Sequence, residues 1–194
     1  MRTLTYLVAA TLDGHIAESG GVDPTGTLFD VGQDYLDYAI ANYPETLPTG
    51  ARQAFGVTDP GTRFDTVLEG RRSYQLGLDA GITNAYAHLR HLVFSRTLAD
   101  SPDPGVEVVA DDPAATVRKL KAEPGRGLWL VGGAALAGEL FEEIDEIVVK
   151  VNPVASGTGI PLFTGRSQAS RRRFAVRDHT VLASGVVILT YNLS

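Results

Sequence analysis

The sequence twice repeats one local pattern, in which a short apolar strand leads through glycine into a helix. In the first copy, residues 64–68 read FDTVL and predict a buried strand, and Gly70 follows before the polar run Arg71, Arg72 and Ser73. Free backbone N–H groups and the positive end of the helix dipole favour an anion at such a corner. We therefore interpret residues 64–74 as a phosphate cradle, with an ordinary strand-to-helix turn as the alternative.

The second copy lies between residues 128 and 143. The apolar strand LWLV at 128–131 leads into Gly132 and Gly133, and a helical pattern follows from Ala134. Because glycine has no Cβ, another molecule can approach such a turn closely. The two glycines are expected where a pyrophosphate or a flat ring lies against the chain.

Strands and helices alternate along most of the chain, which predicts a mostly parallel sheet. The predicted strands are residues 4–12, 64–68, 91–95, 106–110, 128–131 and 144–151, and the predicted helices are residues 30–43, 113–122 and 134–143. Residues 174–183 and 186–193 flank Ser184-Gly185 and predict a hairpin that adds antiparallel strands at one edge. We predict one α/β domain over residues 1–194, with three layers and helices on both faces of a mixed sheet.

Several turns that follow predicted strands are expected to meet in space. Asp13, Gly70, Ser95 and Gly132 each come at the end of a predicted strand. Ligands of open α/β sheets bind at the carboxyl ends of the strands. We therefore predict a nucleotide site at that edge, with residues 45–63 as a long loop and a candidate lid.

Composition excludes several classes of function. The net charge of −6 argues against general affinity for nucleic acid or for an anionic membrane. The absence of cysteine excludes disulfides, thiolate metal sites and cysteine nucleophiles, and it suits a cytoplasmic protein. His88 and His91 lie at the entry to an apolar strand, so we interpret them as structural and predict no metal site.

Five segments, in order, resemble the dihydrofolate reductase-like superfamily. The resemblance is closest to the reductase domain of the bifunctional riboflavin-biosynthesis deaminase-reductases and its stand-alone relatives. The segments are VAATLDGHIA at 8–17, FDTVLEGRRSY at 64–74, VFSRTL at 93–98, LWLVGGAALAGELF at 128–141 and IDEIVVKVNPVASGTGIPLF at 144–163. Together they cover nearly the whole chain, and the resemblance implies a three-layer dihydrofolate reductase-like fold.

The resemblance also implies NADPH as the cofactor and assigns residues to its parts. By motif position, the nicotinamide would face Ala10 and Ile16, phosphates would bind Gly70, Arg71 and Ser73, the adenosine 2′-phosphate would bind Ser95 and Arg96, and the pyrophosphate would pass over Gly132, Gly133 and Ala134. Two guanidinium groups on an acidic chain would favour NADPH over NADH.

The implied activity is reduction of a small-molecule substrate, either a heterocycle of the pteridine or aminopyrimidine kind or a carbonyl compound. Val131 stands where the riboflavin-pathway reductases commonly have glutamate. The lysine that these reductases usually have shortly before the first motif is also missing, and Tyr6 or Leu7 stands near its position. The candidate proton relays are Asp13 and a residue of the first long helix, either Asp34 or a tyrosine.

Two further expectations follow from this comparison. The missing glutamate and lysine leave open a non-catalytic nucleotide-binding or sensor module on the same fold. The resemblance also implies a homodimer, because close relatives pair through a sheet edge.

Overall fold

The computed structural model describes residues 1–165 and 171–194, and most of its strands form one mixed sheet. The strands are β1 Leu4–Ala10, β2 His15–Ala17, β3 Phe64–Gly70, β4 Arg90–Phe94, β5 Val106–Val109, β6 Gly127–Gly132, β7 Glu146–Val151, β8 Ile160–Pro161, β9 Phe174–Val181 and β10 Val187–Leu193. Eight of them form the sheet in the order β5-β4-β3-β6-β1-β7-β10-β9, while β2 and β8 form a separate pair.

The direction of the strands follows the predicted pattern. The run from β5 to β7 is parallel throughout, and β10 and β9 complete the sheet as an antiparallel hairpin. The carboxyl ends of six parallel strands therefore share one edge. This arrangement confirms the predicted mixed sheet and its C-terminal hairpin.

Helices cover both faces of the sheet. They are α1 Gln33–Asn42, α2 Thr49–Ala54, α3 Arg71–Asp79, α4 Pro113–Ala122 and α5 Ala134–Glu139. On one face, residues of α4 and α5 pack with Leu4 and Tyr6 of β1 in the largest buried cluster. On the other face, Tyr35 and Tyr38 of α1 pack against a cluster that contains Trp129. Because β1 and β6 are covered on both faces, their sequences are apolar without alternation.

The segment 45–63 is not the structureless loop that the sequence predicted. It contains the end of a 3-10 helix, Pro44–Thr46, and the whole of α2, and Arg52 fixes it by donating to the carbonyl oxygens of Pro44 and Asp59 at 2.6 and 2.7 Å. The buried Glu45 carboxylate accepts the backbone N–H groups of Arg63 and Phe64, at the start of β3. This contact holds the segment at the amino end of the parallel strands, away from their carboxyl edge.

Some predicted boundaries also needed correction. The strand predicted as 4–12 ends at Ala10, because a turn in which the N–H of Gly14 donates to the Thr11 carbonyl follows it. The helix predicted as 30–43 begins at Gln33, and the helix predicted as 134–143 ends at Glu139. Among the described residues, no helix combines the length and the apolarity that crossing a membrane requires.

Helix α4 has the boundaries that its sequence predicted. Asp112 is its N-cap, with the side chain accepting the backbone N–H of Ala115 at 3.0 Å, and Pro113 occupies the first turn, where no N–H is needed.

Removing this cap should destabilise the protein measurably. We expect Asp112→Ala to lower the free energy of unfolding by about 1 kcal/mol, because a terminal N–H group loses its acceptor. Asp112→Asn keeps an acceptor and serves as the control, with a change of only a few tenths of a kcal/mol. Urea denaturation monitored by circular dichroism measures both, and equal losses would contradict a capping role.

Candidate active site

A large cavity opens at the carboxyl edge of the parallel strands. Its volume is about 690 Å³, within the range that small-molecule and cofactor sites occupy. Its lining runs from Val109 at the end of β5, past the ends of β4, β3, β6 and β1, to Lys150 on β7. Of the four turns that the sequence predicted at this edge, three supply residues to the lining, at Gly70, Ser95 and Gly132. Asp13, in the fourth turn, is not among the lining residues.

The two glycine corners lie directly against each other in the cavity. A Cβ built on Gly70 would lie 3.8 Å from the carbonyl oxygen of Gly132, and a Cβ on Gly132 or Gly133 would lie 3.4 Å from Ser73 Oγ. Gly133 also has a φ of +63°, which L side chains rarely adopt. Glycine at these positions therefore keeps the middle of the cavity open, with Ala134 beside it in the lining.

The middle of the cavity is suited to an anion. Helix α3 begins here with Gly70 as its N-cap, and no side chain caps it. Its first N–H groups and its dipole therefore favour negative charge in the cavity. Arg71 also lines the cavity, and its Nη1 atom is buried with no hydrogen-bond partner among the described residues. A buried guanidinium nitrogen without an acceptor is costly, and an anion in the cavity would satisfy it.

One end of the cavity carries the second predicted cationic group. Ser95 is buried, and its Oγ accepts the backbone N–H groups of Thr97 and Leu98 at 3.2 and 2.9 Å, which fixes the turn after β4. Arg96 lines the cavity with its side chain 75% exposed, and Nη2 lies 3.8 Å from a carboxylate oxygen of Glu139. Arg96 is therefore free to move towards a ligand that enters from solvent.

The other end is lined by apolar groups from β1 and β2. Ile16 lines it as predicted, but the structure places Val8 and Ala9 there rather than Ala10. Ala10 is 2% exposed, and its carbonyl oxygen accepts the N–H of Asn152 at 2.8 Å. The prediction for Ala10 is therefore corrected to Ala9.

Asp13 stabilises a turn outside the cavity. Its carboxylate accepts the hydroxyl of Thr11 at 2.6 Å and the backbone N–H groups of Ser156 and Gly157 at 3.2 and 2.7 Å. The Thr11 hydrogen bond, followed by the Ser156 N–H, lowers the pKa of Asp13 well below its usual range. The geometry gives Asp13 the role of joining the turn after β1 to the loop before β8, and it brings no proton donor into the cavity.

Asp34 has a comparable role at the start of α1. One carboxylate oxygen accepts the N–H of Ser184 at 2.7 Å, and the other accepts the N–H of Tyr35 at the same distance. The hydrogen bonds from Ser184 lower the pKa of Asp34. Asp34 therefore ties α1 to the β9–β10 turn, and it is not among the residues that line the cavity.

The depressed pKa of Asp13 predicts a pH-dependent effect on stability. A carboxylate whose pKa is lower in the folded state stabilises the fold above its unfolded pKa of about 4, and this contribution fades as the pH falls below that value. We expect Asp13→Asn to lower the melting temperature at pH 7, and the difference from wild type to shrink between about pH 4 and pH 2. Calorimetry across this range measures it, and a difference independent of pH would contradict the assignment.

Sequence reasoning missed part of the lining. Residues 21–31 contribute Asp23, Pro24, Phe29 and Asp30 to the lining, although the sequence predicted no site residue between 21 and 29 and placed Asp30 at the start of a helix. The available signal was the apolar pair Leu28-Phe29 in a segment without a sustained period, and Phe29 is buried in the structure. Segment 45–63, which the sequence predicted as a candidate lid, contributes no residue to the lining, and residues 21–31 contribute to it instead.

The contact between Lys150 and Tyr35 is the second unpredicted feature. Both line the cavity, and the Lys150 ammonium donates a hydrogen bond to the Tyr35 hydroxyl at 2.7 Å. The sequence predicts only a strand at Lys150, whereas Tyr35 is one of the first-helix tyrosines that it offers as alternative proton relays. Among the described residues, no cluster of histidine and acidic side chains could hold a metal ion.

Comparisons with known proteins identify relatives of this chain. The profile of one protein family, the RibD C-terminal domain, matches residues 70–188. The chain is 29% identical over 165 residues to YwjB of Bacillus subtilis, covering 84% of this chain and 82% of YwjB. It is 31% identical over 150 residues to YyaP of the same organism, covering 71% of this chain and 78% of YyaP. Both relatives are described as uncharacterized.

Solved structures share the fold. A putative riboflavin biosynthesis protein from a Shewanella species has a TM-score of 0.68 at 22% identity, with 99% of each chain covered. A deaminase/5-amino-6-(5-phosphoribosylamino)uracil reductase of Thermotoga maritima has a TM-score of 0.64 at 15% identity, covering all of this chain and 57% of that one. A pyrimidine reductase-like protein of Corynebacterium diphtheriae has a TM-score of 0.61 at 13% identity, covering all of this chain and 92% of that one. These likenesses confirm the dihydrofolate reductase-like fold.

Proposed function

Because the chain belongs to the RibD C-terminal domain family, we propose that it is an NADPH-dependent reductase. Its substrate is a small heterocycle of the pteridine or aminopyrimidine kind, or a related carbonyl compound, reduced at a C=N or C=O bond. The Thermotoga relative is named as a reductase of an aminouracil, which supports this class of reaction.

One observation carries the proposal. Gly70, Gly132, Gly133 and Arg71 all line one cavity, α3 begins there without a side-chain cap, and Arg71 Nη1 has no hydrogen-bond partner among the described residues. Each feature favours either a negatively charged ligand or the close approach of a ligand to the backbone, and a dinucleotide pyrophosphate needs both. Gly70, Arg71, Ser73, Gly132, Gly133 and Ala134 would hold this part of the cofactor.

The two ends of the cavity would take the two ends of the cofactor. Arg96, beside Ser95, would contact the adenosine 2′-phosphate and so favour NADPH over NADH. The apolar wall of Ala9 and Ile16 would receive the nicotinamide ring.

The protein's share of the reaction is orientation and exclusion of water. NADPH supplies the hydride when it is bound. The apolar side chains at the Ala9 end hold a flat ring in one position, and Phe29 of segment 21–31 helps to keep that end dry. We place this reaction in the cytoplasm, which the lack of cysteine supports.

Cofactor binding tests the proposal directly. Titration of the protein with NADPH and with NADH, followed by nicotinamide fluorescence, should give tighter binding of NADPH. Failure of both to bind below about 1 mM, a free energy near −4 kcal/mol, would reject the proposed function.

Substitution of the two arginines separates their roles. Arg71→Ala should weaken NADPH binding roughly tenfold or more, because a charged hydrogen bond is worth about 1.5–3 kcal/mol. Arg96→Ala should weaken NADPH but leave NADH nearly unchanged, since only NADPH has the 2′-phosphate. Arg118→Ala is the matched control, because Arg118 lies on α4, pairs with Glu143 and is outside the lining. Equal weakening in all three variants would contradict these assignments.

A second candidate function is a non-catalytic nucleotide-binding or sensor module. It is favoured by one observation, which is that the carboxylates of Asp13 and Asp34 are engaged in holding loops. The two functions differ in turnover. Loss of absorbance at the nicotinamide band with pyrimidine, pterin or carbonyl compounds supports the reductase, and tight NADPH binding without oxidation by any of them supports the sensor.

We further propose that two copies of the chain pair through the edge of the sheet. Among the described strands, β9 has one neighbour, β10, and its Val176 and Val181 are 58% and 67% exposed. An open edge with exposed apolar side chains favours pairing with another strand. Analytical ultracentrifugation should find a dimer that Val176→Lys dissociates, while Ile82→Lys, at another exposed apolar position, leaves it intact. A monomeric wild type would reject this pairing.

A further inference from the structure

Lys150 and Tyr35 bring two polar side chains to the apolar end of the cavity. Lys150 lies on β7 directly opposite Ala9 of β1, and Tyr35 lies in the first turns of α1. Lys150 Nζ is 2.7 Å from the Tyr35 hydroxyl oxygen and 4.5 Å from the centre of the Tyr35 ring. The pair therefore lies beside the wall that would receive the nicotinamide.

The direction of this hydrogen bond leaves the hydroxyl hydrogen of Tyr35 available for donation to another group. An ammonium group can only donate, so the phenol oxygen is the acceptor and its own hydrogen points elsewhere. Within residues 1–165 and 171–194, no group accepts that hydrogen. A ligand in the cavity is positioned to accept it.

The charge of Lys150 is also uncompensated nearby. In the part of the chain that the structure describes, no carboxylate forms an ion pair with this half-buried ammonium. Burying a charge without a partner costs free energy, and functional sites are where such groups occur. Asp23 and Asp30 also line the cavity, but both are exposed, and within the described residues neither forms a hydrogen bond with Lys150 or Tyr35.

We propose that Tyr35 is the proton donor of the reduction and that Lys150 positions its hydroxyl and restores its hydrogen. This inference rests on the proposed reductase function. As the carbon of a C=O or C=N bond gains hydride, the π electrons of that bond move to the heteroatom, which takes the proton of the Tyr35 hydroxyl. The resulting phenolate oxygen takes a proton from the Lys150 ammonium, and the amine regains a proton from water, with hydroxide released to solvent.

The pair can be tested without cofactor or substrate. In protein labelled with ¹³Cζ-tyrosine, the Tyr35 resonance is identified by its loss in Tyr35→Phe. We expect this resonance to shift in Lys150→Met, which removes the donor, and to return towards its wild-type position in Lys150→Arg. A resonance that does not respond to Lys150→Met would overturn the inference, because the pair would then not exist in solution.

Turnover then tests the chemistry, with NADPH binding measured on every variant. Tyr35→Phe should lower kcat on the order of 100-fold with a small change in KM, since general acid catalysis contributes about 10²–10⁴-fold. Lys150→Met should lower kcat by a smaller factor, and Lys150→Arg should recover part of it. Tyr38→Phe is the matched control, because Tyr38 lies on the same helix, its ring is tilted against that of Tyr43, and it is outside the cavity lining.

The outcomes separate this inference from the reductase function. If wild type binds NADPH and turns over, but Tyr35→Phe keeps its kcat or Asp23→Asn alone loses it, Tyr35 is not the donor and the reductase function stands. If wild type binds no NADPH, or reduces no compound of the panel, the reductase function fails and the inference fails with it.

Discussion

The close approach of two glycine corners is the contact on which the cavity depends. Gly70 ends β3 and Gly132 ends β6, and these strands are neighbours in the sheet. Side chains at the corners would fill the space in front of the α3 N-terminus, against Ser73. Since glycine leaves this space open, backbone N–H groups and Arg71 can face a ligand there. The rest of the fold holds these two corners side by side.

Both signs of charge are present around this contact. The cavity is lined by four cations and by four carboxylates, which are Arg71, Arg72, Arg96 and Lys150 and Asp23, Asp30, Asp111 and Glu139. Negative charge is therefore favoured only at one place in the cavity, at the uncapped start of α3 beside Arg71. Lys150 supplies an ammonium group to the cavity from β7, the strand next to β1.

The acidic residues that the sequence offered as proton relays have a structural use. Asp13 joins the turn after β1 to the loop before β8, and Asp34 joins α1 to the β9–β10 turn. Both contacts join segments next to the cavity wall. Ile16 and Ile160, which lie close in sequence to the segments that Asp13 joins, line the cavity. Tyr35 and Val186, which lie next to the contact of Asp34, also line it. These carboxylates hold the walls of the site in place.

The sequence by itself determined the parallel sheet, the C-terminal hairpin, the α4 cap and the two glycine corners, because each depends on a local period or a backbone preference. Tertiary structure alone decided which side chains meet in the cavity. Lys150 and Tyr35 are 115 residues apart, and no local pattern marks their contact. Packing buried Ala10 and left Ala9 at the wall, and distant backbone N–H groups engaged Asp13. Local preferences fix the elements, whereas contacts across the sheet fix the chemistry of the site.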